Sequence, residues 1–318
     1  MGRQRDRGWA PAPEVLPTPV PDNHTHLDSV LGVRVDGPGP VTMDDHLDLA
    51  ASVGVTRMVQ VGCDLDAVAW TDAVLRADAG EDVTAPVPMT TGRRMLLGAV
   101  AIHPNEAVLH AGVHEVAPDG LDPDPRTQHA VSLDDALAEV ERVARGNDRV
   151  RAIGETGLDY FRAGPRGRTV QREAFRAHIA LAKELGLALQ IHDRDAHDDV
   201  VEVLLQDGAP DRTVFHCFSG GPALAEVCAE HGWFASFAGP VTFGANEDLR
   251  AALRVLPLDQ VMVETDAPYL TPHPMRGRPN SPYLIPTTVR RIADELGQDL
   301  DALGRTLSAT TERVYGTW

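Results

Sequence analysis

The chain has 318 residues, 43% of them hydrophobic, the make-up of an ordinary globular protein with a sizeable core. A formal net charge of −18 and a single lysine, Lys183, exclude the broad basic surface that wraps nucleic acid. They leave room for a local site where bound cations carry the positive charge.

Cys63, Cys217 and Cys228 form neither a disulfide framework nor a C-x-x-C zinc pattern, and they fit a reducing cytosol. The Arg-rich, then Pro-rich N-terminus lacks the apolar core of a signal peptide, and no window is long enough to span a membrane. The expectation is a cytoplasmic protein with no membrane partner and no obligate protein partner.

In chain order, residues 1–18 read as a flexible or surface-laid N-terminal extension. From there, residues 19–318 read as one domain. Short β-branched apolar runs alternate with helical patterns. The predicted strands are Val20–His26, Arg57–Cys63, Met95–His103, Arg149–Glu155, Leu187–His192, Thr213–Cys217, Trp233–Gly239 and Gln260–Asp266. Helices are predicted between most of them, at Met43–Val53, Asp66–Arg76, Leu133–Arg145, Val170–Leu185, Ala196–Gln206, Pro222–His231 and Glu247–Val255. Two more, Pro286–Leu296 and Leu300–Val314, close the chain. Such alternation predicts a parallel sheet, and eight units predict a closed (β/α)8 TIM barrel. The stretches Ala79–Arg93 and His110–Ala130, rich in Pro, Gly and Asp, read as acidic surface insertions.

The reactive residues fall at the C-terminal ends of the predicted strands. In a barrel those ends share one rim, where active sites sit. His24 and His26 stand two apart in Asp22–Asn23–His24–Thr25–His26, so on a strand they aim at one place. Glu155 ends the fourth strand between Gly154 and Gly157, His192 the fifth and His216 the sixth. On the eighth, Glu264 and Asp266 share a face, one to ligate and the other to bind a neighbouring loop. Counting Asp266, the rim offers more ligands than one catalytic ion can take while keeping open positions. They suit two divalent ions sharing a bridge. Mixed imidazole and carboxylate donors fit Zn, Mn, Fe, Co or Ni better than Mg. Lys183 lies inside a helix pattern, so a carboxylated lysine is a poor bridge here and Glu155 is the natural one.

As a set, H-x-H-L-D, G-E-x-G-L-D-Y, I-H-x-R-x-A, H-C-F-S-G and E-T-D-A-P-Y-L resemble the TatD-type deoxyribonucleases, metal-dependent hydrolases of the amidohydrolase superfamily. The resemblance runs from Asp22 to about Tyr315. It implies a (β/α)8 barrel with two ions (Mg, Mn or Zn), one held by His24, His26, Glu155 and Asp266, the other by Glu155, His192 and His216. It also implies magnesium-stimulated cleavage of DNA, in some members as a 3′→5′ exonuclease on single-stranded ends. His103, in a segment like the family's G-x-H-P, is expected to contact a substrate phosphate or act as an acid. Arg162, Arg194, Arg276 and Arg278 are expected to grip phosphate, since guanidinium is permanently charged and binds two oxygens. Asn23, Thr156 and the two insertions depart from the family pattern without removing a ligand.

The expected chemistry is phosphodiester hydrolysis, with Asp266 taking the proton of the attacking water. Ligands alone do not separate phosphorus from carbonyl electrophiles. An esterase, lactonase or amidase on the same site is the competing reading, and a non-catalytic metal-binding barrel is the third.

Overall fold

The computed structural model describes residues 7–318. Eight parallel strands follow one another around the sheet in chain order: β1 (Asp22–Thr25), β2 (Met58–Gly62), β3 (Leu96–Val100), β4 (Val150–Asp159), β5 (Ala188–Arg194), β6 (Thr213–Phe215), β7 (Phe234–Phe237) and β8 (Val261–Val263). The ring closes at its C-terminal rim. There Asp266 N donates to His24 O and His26 N donates to Ala267 O, both at 2.9 Å. The strands are buried along nearly their whole length, the state that continuous apolar runs in a parallel sheet demand. The fold is the expected TIM barrel.

Helices cover the outside: α1 (Leu27–Gly32), α2 (Met43–Ser52), α3 (Leu65–Ala79), α4 (Pro104–His110), α5 (Leu133–Gly146), α6 (Pro165–Leu185), α7 (His197–Asp207), α8 (Pro222–His231), α9 (Glu247–Val255), α10 (Ile285–Leu296) and α11 (Leu300–Tyr315). Sequence reading missed α1 and α4. The signal for α4 was present: Pro104 occupies the first turn, where its missing N–H costs nothing, and His103 Nδ1 caps by accepting from Asn105 N at 3.1 Å.

Two apolar clusters result. The larger lies between sheet and helices. The smaller fills the barrel interior with Val59, Val61, Leu97, Ala99, Ala152, Ala188, Val214, Phe234 and Met262, and includes Val314 and Tyr315 from the end of α11, with Trp318 packed against it. The chain's end therefore plugs the barrel from the side opposite the rim.

Of the two alternatives for the N-terminal extension, the structure has the surface-laid one from Trp9 onward. Ala10 and Leu16 are buried, Leu16 N donates to Val53 O at 3.1 Å, and Tyr283 Oη donates to Ala10 O at 2.7 Å. Its apolar residues and backbone groups find partners on the barrel, which ties it down as surface-laid chain. The expectation for residues 1–6 lies outside the described residues. The insertions are held by charge: Arg93 pairs with Asp44 and Asp48, and Arg126 pairs with Asp64 and Glu106.

Candidate active site

Four imidazoles and two carboxylates meet on the rim. His24 Nε2 and His26 Nε2 are 3.2 Å apart, and Asp266 Oδ1 lies 3.4 Å from His26 Nε2 and 3.9 Å from His24 Nε2. Glu155 Oε2 lies 2.5 Å from His216 Nε2, 3.5 Å from His192 Nδ1 and 4.0 Å from His24 Nε2. Glu155 thus stands between the two sets, and the stacked rings of His24 and His216, with centroids 3.9 Å apart, join them. The six residues that sequence reading singled out as ligands are together.

Local backbone explains the placement. Gly157, at φ +137°, lies so close to β5 that a Cβ there would stand 2.1 Å from His192 O, so only glycine lets β4 run past Glu155 beside its partner. That is why β4 continues to Asp159 instead of ending at Glu155 as expected. Asp266 has φ +53° and Cys217 φ +43°, a left-handed conformation that aspartate tolerates and that is uncommon for cysteine.

What stands behind each ring fixes its tautomer. Gln190 Nε2 donates to Asn23 O (3.0 Å) and Tyr315 Oη (2.6 Å), so its Oε1 accepts from His24 Nδ1 at 3.1 Å. His26 Nδ1 donates to Val61 O at 3.2 Å, His216 Nδ1 to Glu264 Oε1 at 3.1 Å, and His192 Nε2 to Asp159 Oδ2 at 3.2 Å. When neutral, each ring then turns its other nitrogen, free of a proton, toward the centre. Two lone pairs 3.2 Å apart at His24 and His26, and two more facing the anionic Glu155, repel unless positive charge sits among them. The donor set therefore fits divalent cations, and its orienting acceptors are of the kind that metal-bound histidines use.

Without an ion, protons are drawn to the same place. Burial alone would lower His26, but bonding and charge from Asp266 outweigh it and raise it to about 9. His192 rises to about 9 against burial, drawn by Asp159 and Glu155, and His216 rises well above its usual range through Glu155 and Glu264. Burial and the neighbouring His216 push His24 well below its ordinary value. Burial would raise Glu155, yet the surrounding imidazoles hold it well below the carboxylate range. The anions of this pocket thus draw positive charge into it.

The remaining candidates fall around the cluster. His103 Nε2 lies 3.7 Å from Glu155 Oε1; burial lowers its pKa to about 3, so the ring is neutral. With Nδ1 accepting at the helix cap, its proton is on Nε2. Arg162 Nε is 3.2 Å from Asp119 in the second insertion, and Arg194 stacks 3.9 Å over Phe161. Arg276 stacks 4.2 Å over Phe243, and Arg278 donates to Trp9 O at 2.9 Å. No hydrogen bond or ion pair joins Arg162, Arg194 or Arg276 to the cluster.

Sequence reading missed the residues that orient the rings. Asp159 stood inside the G-E-x-G-L-D-Y motif without a role, and Gln190, two residues before His192, shares its strand face. Glu264 and Asp266 divide as the two alternatives allowed: Asp266 faces the cluster, while Glu264 accepts from His216 and from Cys217 N at 2.7 Å.

A barrel with paired imidazole–carboxylate clusters on its C-terminal rim is the build of a metal-dependent hydrolase. The family model described as TatD related DNase matches residues 21–316, and the chain belongs to that family. It is 37% identical over 299 residues to an uncharacterized metal-dependent hydrolase TatD of Mycobacterium tuberculosis, covering 93% of this chain and 97% of that one. A 3′-5′ ssDNA/RNA exonuclease TatD of Yersinia pseudotuberculosis is 35% identical over 196 residues, 59% of this chain and 74% of its own. Among solved structures, the TatD homologue YJJV of Escherichia coli K12 superposes with a TM-score of 0.73 at 22% identity, covering 94% of this chain and 98% of the other. This protein is thus a metal-dependent hydrolase of the TatD family. Among the described residues no helix is long and apolar enough to cross a membrane.

Proposed function

We propose that the chain hydrolyses phosphodiester bonds at the ends of single-stranded nucleic acid, DNA in the first place. His24, His26, Asp266 and Glu155 would hold one divalent ion, and Glu155, His192 and His216 a second. The observation that carries the reading is the set of imidazole nitrogens converging on Glu155 and Asp266. When bound, such ions acidify a water molecule and neutralise charge on the phosphoryl oxygens.

The side chains do the rest. Asp266, the more exposed of the two central carboxylates, takes the proton as the water oxygen bonds to phosphorus. The bond from phosphorus to the 3′ oxygen breaks, a 5′-monophosphate leaves, and the proton taken by Asp266 passes to the 3′ oxygen, so the shortened strand ends in a 3′ hydroxyl. His103, neutral with its proton on Nε2, donates a hydrogen bond to a phosphoryl oxygen without adding charge to be desolvated. The exonuclease name of the Yersinia pseudotuberculosis relative supports the choice of substrate.

The test is one purified sample assayed on single-stranded DNA, duplex DNA, a lactone and a dipeptide panel, with and without chelator. Chelator-sensitive release of 5′-mononucleotides from single strands is expected. Turnover of the lactone or dipeptides with none on DNA would overturn the reading.

A further inference from the structure

We propose that Tyr269 and the Phe161–Arg194 pair form a platform on the rim that takes the terminal nucleobases of the substrate, an inference that rests on the nucleic-acid reading above. Most large apolar side chains left exposed among the described residues are aliphatic and scattered. The aromatic ones are Phe161, 36% exposed, and Tyr269, 57% exposed. A single exposed aromatic is unremarkable, but these two stand in the turns that directly follow β4 and the residues after β8. Those are the segments that deliver Glu155 and Asp266 to the cluster.

Neither ring rides on a loose loop. Buried Asn280 donates through Nδ2 to Tyr269 O at 2.6 Å and to Thr265 O at 2.8 Å, and Tyr269 N donates to Asp266 O at 2.9 Å. On the other side, Asp159 Oδ1 accepts from Arg162 N at 3.0 Å, and Tyr160 N donates to Arg194 O at 2.9 Å, which brackets Phe161. The turn holding Phe161 is therefore fixed by Asp159, the carboxylate that also orients His192. A flat surface on fixed backbone binds a flat ligand with little ordering cost.

The geometry also says which flat ligand. Tyr269 meets His26 edge-on, with centroids 6.2 Å apart, which places a stacked group directly beside the cluster. Arg194 covers one face of Phe161 at 3.9 Å, so a cation is part of that surface and favours an electron-rich, hydrogen-bonding ring over an aliphatic chain. Charge argues the same way. With −18 overall and one lysine, the chain cannot draw its grip from a long row of phosphate contacts. Stacking of bases on aromatic side chains supplies affinity that does not depend on net charge and tolerates any sequence.

The experiment uses the full chain carrying Asp266→Asn as a silenced parent, at constant divalent ion, with oligonucleotide binding read by fluorescence anisotropy. The probes are an oligothymidylate and the same oligomer with its two 3′-terminal residues abasic. Tyr269→Leu and Phe161→Leu, added singly, are expected to weaken the base-bearing oligomer by about tenfold or more. They should leave abasic binding at the parent's level, and Tyr269→Trp should restore the preference for bases. Elemental analysis of each variant reports whether the metal cluster is intact. A base-to-abasic affinity ratio equal to the parent's in both Leu variants would overturn the platform alone. Failure of the parent to bind either oligomer would overturn the nucleic-acid reading and the platform with it.

Discussion

His24 and His26 are backed by neutral oxygens, the Gln190 amide and the Val61 carbonyl, whereas His216 and His192 are backed by the carboxylates of Glu264 and Asp159. A carboxylate behind an imidazole makes its other nitrogen more basic and a stronger donor to a cation. The two halves of one cluster are thus built to hold positive charge unequally. The Glu264–Asp159 side holds it firmly. The side carrying Asp266, the carboxylate proposed to take a proton, holds it more loosely. Buried His178 and His46 supply a contrast outside the site. Lacking a carboxylate partner, both are pushed down to about 4 by burial.

The sharpest way to break this comparison is Glu155→Gln, which removes the charge both halves share. Activity should fall by about a thousandfold or more, and both ions should be lost. His216→Ala should lose mainly one. Metal-to-protein ratios after dialysis decide it: equal retention in the two variants would mean that Glu155 does not join the halves.

The contrast with the other histidines predicts a pH effect on folding. His178 accepts from Ile102 N through Nε2 and bonds Thr156 Oγ1 at 2.8 Å through Nδ1, so it folds neutral. Its folded pKa of about 4 lies below the unfolded value near 6.5. The unfolded chain therefore binds more protons between those values. Its contribution is complete above about pH 6.5 and is lost as pH falls toward 4, by about 3 kcal/mol. Denaturant titrations of the wild type and His178→Gln across that window should show the wild type losing stability more steeply. Parallel curves would remove the contrast.

Next in size is the asymmetry itself. Glu264→Gln or Asp159→Asn should weaken metal binding by about tenfold to a hundredfold, while Gln190→Met should cost only a few-fold. Competitive chelator titration reads all three, and a larger loss for Gln190→Met would reverse the ranking of the halves.

The smallest effect tests how far the support extends. Tyr315, at the end of α11, accepts from Gln190, which orients His24, so the plug at the bottom of the barrel reaches the site by two hydrogen bonds. Tyr315→Phe removes one of them but leaves Gln190 its bond to Asn23 O. Metal affinity should drop about two- to fivefold, the size of one net hydrogen bond, with little change in thermal unfolding. A large loss of stability with unchanged metal affinity would make Tyr315 part of the plug only.

The sequence by itself determined the barrel and the make-up of the cluster. Both rest on short-range rules: alternation of strand and helix patterns, and side chains two apart sharing a face, as with His24 and His26. Its errors were local as well. The strand through Glu155 runs on to Asp159 because Gly157 fits against His192 O, a contact made by a neighbouring strand. What only the tertiary structure decided was partnership between distant residues. Nothing near Arg162 or Arg194 in the chain shows that one would pair with Asp119 and the other lie on Phe161. Equally, parity puts Glu264 and Asp266 on one face but cannot say which meets His216, since that depends on how the ends of β6 and β8 approach each other past β7. His24 and Tyr315 stand near opposite ends of the described chain, and only the closed barrel brings them within reach of the same glutamine.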